Sequence, residues 1–200
     1  MVIACGGCSR HMGTSICVGA QNMTNNYISR WATEDDLEAL QALITLAINT
    51  LQDNFLSTAQ VVASRQVMGL DSQLVRDRTY LILEEQGRIV GCGGWSRRAT
   101  LYGGDHSSEL RDPALLNPKC DPARIRAMYT HPDHVRRGIG RRVLGLCEEA
   151  ALSEGFKRVE LMSTLSGQAL YEACGYKAME ACPADVAGVS VPLIRMGKSL

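Results

Sequence analysis

An α/β fold in a single domain is predicted by three observations. Short apolar runs of strand length alternate with stretches whose apolar residues recur at helical spacing. One strand, one glycine-bearing turn and one helix follow each other without a break over residues 124–155. The chain has 200 residues, which suits one domain with a real core.

Composition excludes several classes of partner. Lys plus Arg and Asp plus Glu balance at 21 each, for a net charge of zero. No bulk attraction to nucleic acid or to an anionic membrane is therefore expected. No apolar run approaches the ~20 residues that a membrane-spanning helix needs. The eight cysteines are scattered through apolar patterns, as at Cys92, Cys147 and Cys174, without disulfide-scaffold spacing. They predict a reduced, cytoplasmic chain.

Residues 1–26 contain no acidic residue, the first being Glu34, and are rich in Gly, Ser, Thr, Asn and Cys. They read as a flexible tail preceding a domain over residues 27–200. Cys5 and Cys8 with His11 form half a zinc motif, but no second pair follows, and no metal is expected. The acid-free, hydroxyl-bearing start also has the composition of an organellar transit peptide, with charge only from Arg10 and, further on, Arg30.

The first strand is expected over residues 27–31. Thr33 is a good N-cap, followed by the first-turn acids Glu34, Asp35 and Asp36. Leu37, Leu40, Ile44 and Ala47 then carry a helical stripe to about Asn49. A second helix is expected between Thr58 and Met68. Residues 79–85 and 89–95 form a hairpin about the turn Gln86-Gly87-Arg88. Glycines at 91, 93 and 94 in its second strand predict either a bulge or room for a substrate. Residues 100–121 are turn-rich and aperiodic, and loops of that length are functional or mobile. Asp105 and His106 within it read as solvated.

The central unit starts with an apolar strand over residues 125–130, stopped by His131-Pro132, because Pro132 has no amide proton for a ladder. From Ile139 a stripe of Ile139, Val143, Leu144, Cys147, Ala150 and Ala151 defines a helix, with Gly155 as its cap. Gly138 and Gly140 fall where that helix begins. There the first N–H groups lack intrahelical partners and the helix dipole is positive. With arginines on both sides, this is a diphosphate-binding turn. It lacks the Gly-Lys-Ser/Thr of a P-loop. Val143 stands where a dinucleotide-binding turn needs its third glycine. A strand over residues 158–162, a helix over residues 165–174 ended by Gly175, and two closing strands over residues 176–179 and 189–196 complete the chain. The strand-helix-strand crossover is right-handed by rule.

The turn Val135-Arg136-Arg137-Gly138-Ile139-Gly140 resembles motif A of the GNAT superfamily of N-acetyltransferases, which bind acetyl-coenzyme A. Leu170-Tyr171-Glu172-Ala173-Cys174-Gly175-Tyr176 resembles the family's second hallmark. Two positions depart from the pattern. Val135 replaces Gln or Arg, and Thr164 replaces the Asn found seven residues before the tyrosine in many members. The resemblance implies a mixed, mainly antiparallel twisted sheet, splayed at two central parallel strands, with helices on both faces. It implies acetyl-CoA as cosubstrate, no metal, and direct acetyl transfer to a primary amine of a small molecule or peptide. Met128, Tyr129 and Thr130 would pair with the pantetheine arm, and a backbone N–H near Met128 would meet the oxyanion. Arg136, Arg137, Gly138, Ile139, Gly140 and Arg141 would hold the diphosphate, and Thr164 would contact the cofactor. Tyr171 would protonate the departing thiolate.

The general base is not identified by the motifs. Glu160 falls one residue off the usual position, on the opposite strand face. Glu84, His131 and His134 are substitutes, and Cys174 offers a covalent route. A second copy of the chain is a candidate partner. The competing reading is a non-catalytic coenzyme A-binding or sensing module on the same fold.

Overall fold

The computed structural model describes residues 27–200. The tail boundary and the residues Cys5, Cys8 and His11 lie outside the described residues. The elements run β1 (Ile28–Trp31), α1 (Leu37–Leu51), α2 (Thr58–Val67), α3 (Ser72–Arg76), β2 (Tyr80–Glu85), β3 (Arg88–Ser96) and β4 (Ala123–Thr130). They continue α4 (Ile139–Ser153), β5 (Arg158–Thr164), α5 (Leu165–Ala173), β6 (Lys177–Ala181), β7 (Ala184–Val186), β8 (Val189–Val191) and β9 (Leu193–Ser199). Seven strands form one sheet in the order β1-β2-β3-β4-β5-β9-β6, and β7 and β8 form a separate hairpin. Within the sheet only β4 and β5 run parallel.

Local chemistry accounts for these boundaries. Gln86 and Gly87 both have positive φ, 51° and 75°, and join β2 to β3 through the Glu85–Arg88 pair. That is the two-residue turn whose twist matches the strands it connects. The Asp36 carboxylate accepts from the Thr33 N–H (2.8 Å) and from both Nη atoms of Arg30 (2.8 and 2.7 Å). It thereby ties β1 to the entrance of α1. The stripe read from Ile139 faces the sheet: Ile139, Val143, Leu144, Cys147 and Ala151 are buried. Gly155 follows the helix with φ 93°, the left-handed residue that closes it.

Two apolar layers lie on the two faces of the sheet. α4 packs with Trp95, Ile125, Phe156 and Leu161 on one side. α1 packs with Leu74, Tyr80 and Ile82 on the other. A third, smaller cluster joins α2 to the β7–β8 hairpin through Ala63, Val67, Ala184 and Val191.

Two points of the sequence reading need correction, and one of its alternatives holds. Residues 189–196 are not one strand: Pro192 divides them, with β8 pairing β7 and β9 pairing β5 and β6. Proline lacks a ladder donor, so the chain leaves one sheet and enters the other there. The short helix α3 was not foreseen, although Asp71 caps it by accepting from the Gln73 N–H at 3.1 Å. The bulge expected from the glycines of β3 is present, with register shifts beside Gly91 and at Gly93, and their bare faces receive the protein's own side chains. A Cβ on Gly91 would meet Ile139, one on Gly93 would meet Met128 and Val143, and one on Gly94 would meet the Tyr80 ring. Gly91 and Gly93 let α4 dock directly on the sheet, while Gly94 receives Tyr80 and Leu74 on the opposite face.

Candidate active site

The site begins where the sheet opens. β4 and β5 are paired at three positions only: Ala123 with Val159, Arg124 with Glu160, and Ile125 with Leu161. Beyond Ile125, β4 continues against β3, and beyond Leu161, β5 continues against β9. The two parallel strands therefore splay. A bulge sharpens the divergence. Ala127 and Met128 oppose the single residue Gly93, and Ala127 has φ 51°. Tyr80, fully buried, donates its hydroxyl to the Ala127 carbonyl at 2.9 Å and so pins the bulge from the other face.

A cleft of about 870 Å³ occupies this opening. Met128, Tyr129 and Thr130 line it from β4. The Tyr129 hydroxyl accepts from the N–H of Gly69, which also lines the cleft, at 3.0 Å. Arg136, Gly138, Ile139, Gly140 and Arg141 line the cleft from the turn and the start of α4. Arg137 is exposed and lies outside the lining.

The two turn glycines differ in what they do. Gly138 has φ 81°, and a Cβ there would meet nothing within 4 Å. Its face is open beside the free N–H groups of a 15-residue helix. A Cβ on Gly140 would lie 2.8 Å from Leu170 Cδ2, so Gly140 serves the close packing of α4 on α5. An open cradle, a helix N-terminus and two arginines fit a diphosphate.

Thr164 caps α5: its hydroxyl accepts from the Gly167 N–H at 3.3 Å, and the residue lines the cleft. Tyr171, about two turns further into α5, lines the same cleft. It is 8% exposed and packs edge-on against Tyr176. Burial is the main cause that pushes its phenol pKa above the ordinary value. The hydroxyl therefore keeps its proton at neutral pH.

The other candidates separate cleanly. Glu160 is held by Arg124 (2.6 Å) and Arg195 (2.7 Å) and lies outside the lining, as its strand face predicts. Glu84 pairs with Arg30 at 2.8 Å, and His131 also stands outside. Of these groups His134 alone lines the cleft, with Nε2 2.9 Å from Glu85 Oε2. Cys174 does not line it.

The long loop is an ordered wall. The Asp105 N–H donates to the Leu70 carbonyl, Arg111 bridges Asp71 and Asp105, and the Ser107 hydroxyl donates to the Gln66 carbonyl. Arg126, 6% exposed, reaches the cleft lining from β4. Its guanidinium meets Asp71 at 2.5 Å and the Gly103 carbonyl at 2.9 Å. Sequence reading missed Arg126, because nothing local announces a pairing with so distant a residue as Asp71. Among the described residues no cluster of His, Cys, Asp and Glu has a metal-holding arrangement, and no helix is long and apolar enough to cross a membrane.

A sheet splayed at one parallel pair, with a glycine turn at the opening, is the GNAT fold. A family model described as "Acetyltransferase (GNAT) family" matches residues 40–176, and the chain belongs to that family. Members of the family use acetyl-coenzyme A. Solved structures share the fold. A GCN5-related N-acetyltransferase from Rhodopseudomonas palustris is 20% identical, with 86% of this chain and 95% of that one covered and a TM-score of 0.63. PaiA N-acetyltransferase from Thermoplasma acidophilum, in complex with coenzyme A, is 14% identical over 87% and 99% of the two chains, at 0.59. Ribosomal-protein-alanine N-acetyltransferase from Brucella melitensis is 18% identical over 86% and 99%, at 0.55. At these identities the likeness is one of fold. No curated protein matches the sequence.

Proposed function

We propose that the chain is an acetyl-coenzyme A-dependent N-acetyltransferase acting directly on a primary amine of a small molecule or peptide. The observation that carries this reading is Tyr171. A phenol, which holds its proton at neutral pH, stands in the same cleft as the open glycine turn. A module that only binds has no need of that donor, so Tyr171 favours catalysis over sensing.

In this reading Arg136, Gly138, Ile139, Gly140 and Arg141 hold the diphosphate, with Arg137 adding long-range charge from outside. Met128, Tyr129 and Thr130 offer the β5-facing edge of β4 to the pantetheine arm. That edge carries no ladder to β5 past Ile125. Thr164 is placed to contact the same arm. Acetyl-coenzyme A supplies the activated acetyl group as a thioester. The free amine forms the carbon–nitrogen bond as the carbon–sulfur bond breaks. The nitrogen loses its proton to solvent, Tyr171 gives its proton to the departing sulfur, and the phenol then regains a proton from solvent, so the donor is restored.

Calorimetry with acetyl-coenzyme A, followed by thiol release over a panel of amines, tests the proposal. Binding together with amine-dependent release is expected. Binding without release on any amine would leave the sensing module as the correct reading.

A further inference from the structure

A buried amide in the cleft wall has its donors unmet. Gln52 closes the end of α1, and its carbonyl accepts from the N–H groups of Phe55 (2.9 Å) and Leu56 (3.0 Å). Its backbone is therefore fixed. The residue is 4% exposed and lines the cleft. The side-chain Oε1 accepts from the Ser166 hydroxyl at 3.3 Å, while Nε2 donates to nothing among the described residues.

The hydroxyl protons beside it can be followed one by one. Ser166 has a single proton and gives it to Gln52. Its contact with Thr164 at 3.0 Å therefore takes the Thr164 proton. Thr164 in turn accepts from the Gly167 N–H. The order runs from Thr164 to Ser166 to Gln52, and free donors reappear at Gln52 Nε2. Thr164 is left to meet a ligand only as an acceptor. Thr50 and Asn54 also line the cleft, but both are exposed and have water for a partner. Gln52 is buried, and a buried N–H group without an acceptor is unfavourable. A ligand oxygen that meets it removes that cost.

The rest of the cosubstrate already has partners. The glycine turn and its arginines take the diphosphate, and Tyr171 serves the sulfur. The pantetheine arm between them is a chain of amides, whose carbonyls leave water on binding and need donors. The free edge of β4 supplies backbone donors. Among Thr164, Ser166 and Gln52, which line the same cleft, the amide of Gln52 is the group with donors to give.

We infer that Gln52 Nε2 donates to an amide carbonyl of the pantetheine arm, and that Ser166 is the positioning residue that aims it. This rests on the acetyl-coenzyme A reading above. The bond from Ser166 to Gln52 joins the start of α5, which follows β5, to the end of α1, which packs on Tyr80 and Ile82. The donor is thus carried by an element outside both sequence motifs.

Calorimetry on the full chain tests this with two probes. One is acetyl-coenzyme A, and the other is the nucleotide half of coenzyme A, which keeps the diphosphate and lacks the arm. Gln52→Met keeps the length of the side chain and removes the amide. It is expected to weaken acetyl-coenzyme A on the order of tenfold, and the nucleotide half by less than about twofold. Ser166→Ala leaves the amide without its holder and is expected to weaken acetyl-coenzyme A about threefold. Because Ser166 acts through Gln52, the double variant should bind as Gln52→Met does, whereas independent packing losses would multiply. Parental affinity for acetyl-coenzyme A in folded Gln52→Met, an equal loss with both probes, or multiplying losses in the double variant would overturn the inference. An absence of thiol release on every amine would overturn the acetyltransferase reading alone, since both probes report binding. A parent that does not bind acetyl-coenzyme A would overturn both.

Discussion

The hydroxyl of Tyr80 donates to the carbonyl of Ala127 across the sheet, at 2.9 Å. Cys92 Sγ lies 3.2 Å from the Tyr80 hydroxyl oxygen, and burial pushes that thiol up to about 12. The bond is thus made in a dry setting and holds the bulge that turns β4 away from β5. Tyr80→Phe removes the donor and leaves the Ala127 carbonyl unsatisfied, at about 1–2 kcal/mol. The melting temperature should fall by roughly 3–8 °C. Affinity for acetyl-coenzyme A, measured by calorimetry, should also weaken as the bulge relaxes. A variant with parental affinity would show that the bulge does not depend on Tyr80.

Gly138 combines a left-handed backbone with open space. Asn tolerates that conformation, and Asp matches Asn in shape while adding charge. Gly138→Asp is therefore expected to weaken acetyl-coenzyme A at least tenfold, about 1.4 kcal/mol or more, with Gly138→Asn clearly milder. Equal affinities for the two folded variants would mean that no diphosphate lies against the turn.

Tyr171→Phe keeps the ring and its contact with Tyr176. If the phenol acts only as the thiolate leaves, its loss appears in turnover and not in cofactor binding. We expect kcat to fall ~100-fold, with affinity for acetyl-coenzyme A within a few-fold of the parent. Because burial raises this pKa, the donor is lost only as pH rises through that raised value. The parental rate should show no descending limb from the phenol below about pH 10. Parental turnover in the variant would make Tyr171 a packing residue.

Asp36 supplies a test of stability against pH. Hydrogen bonding to Arg30 is the main cause that lowers its carboxyl from 3.8 to about 2. A depressed carboxyl contributes stability above its unfolded pKa and loses it as pH falls through the folded one. The contribution should be intact above about pH 4 and disappear between about pH 4 and pH 2. Asp36→Asn should cost roughly 1–2 kcal/mol at neutral pH and flatten that part of the acid denaturation curve. A variant with the parental acid profile would assign the loss to other carboxylates.

The sequence disclosed those parts of the site that are local. Gly138 and the helix after it are neighbours in the chain, so the anion-binding turn can be read from one short stretch. Tyr171 and the capping hydroxyl of Thr164 sit within one helix and the residue before it. What stayed hidden depends on distant residues meeting. The glycines of β3 have a meaning only once Ile139, Met128 and Tyr80 lie over them. Arg126 carries no signal until Asp71 stands beside it. Pro192 was visible, yet a proline between two apolar runs does not say that they join different sheets.

The three residue pairs between β4 and β5 have a mechanical consequence. They are a short seam between a four-stranded half, β1 to β4, and a three-stranded half, β5, β9 and β6. The cleft is lined from both halves, so a molecule that spans it acts as a rivet across that seam. Its binding energy then adds to the resistance against parting, about 2.7 kcal/mol at a hundred times its Kd. Amide hydrogens along the seam should exchange sooner in the empty protein than in the filled one, while those of the β2–β3 hairpin should hardly notice the difference.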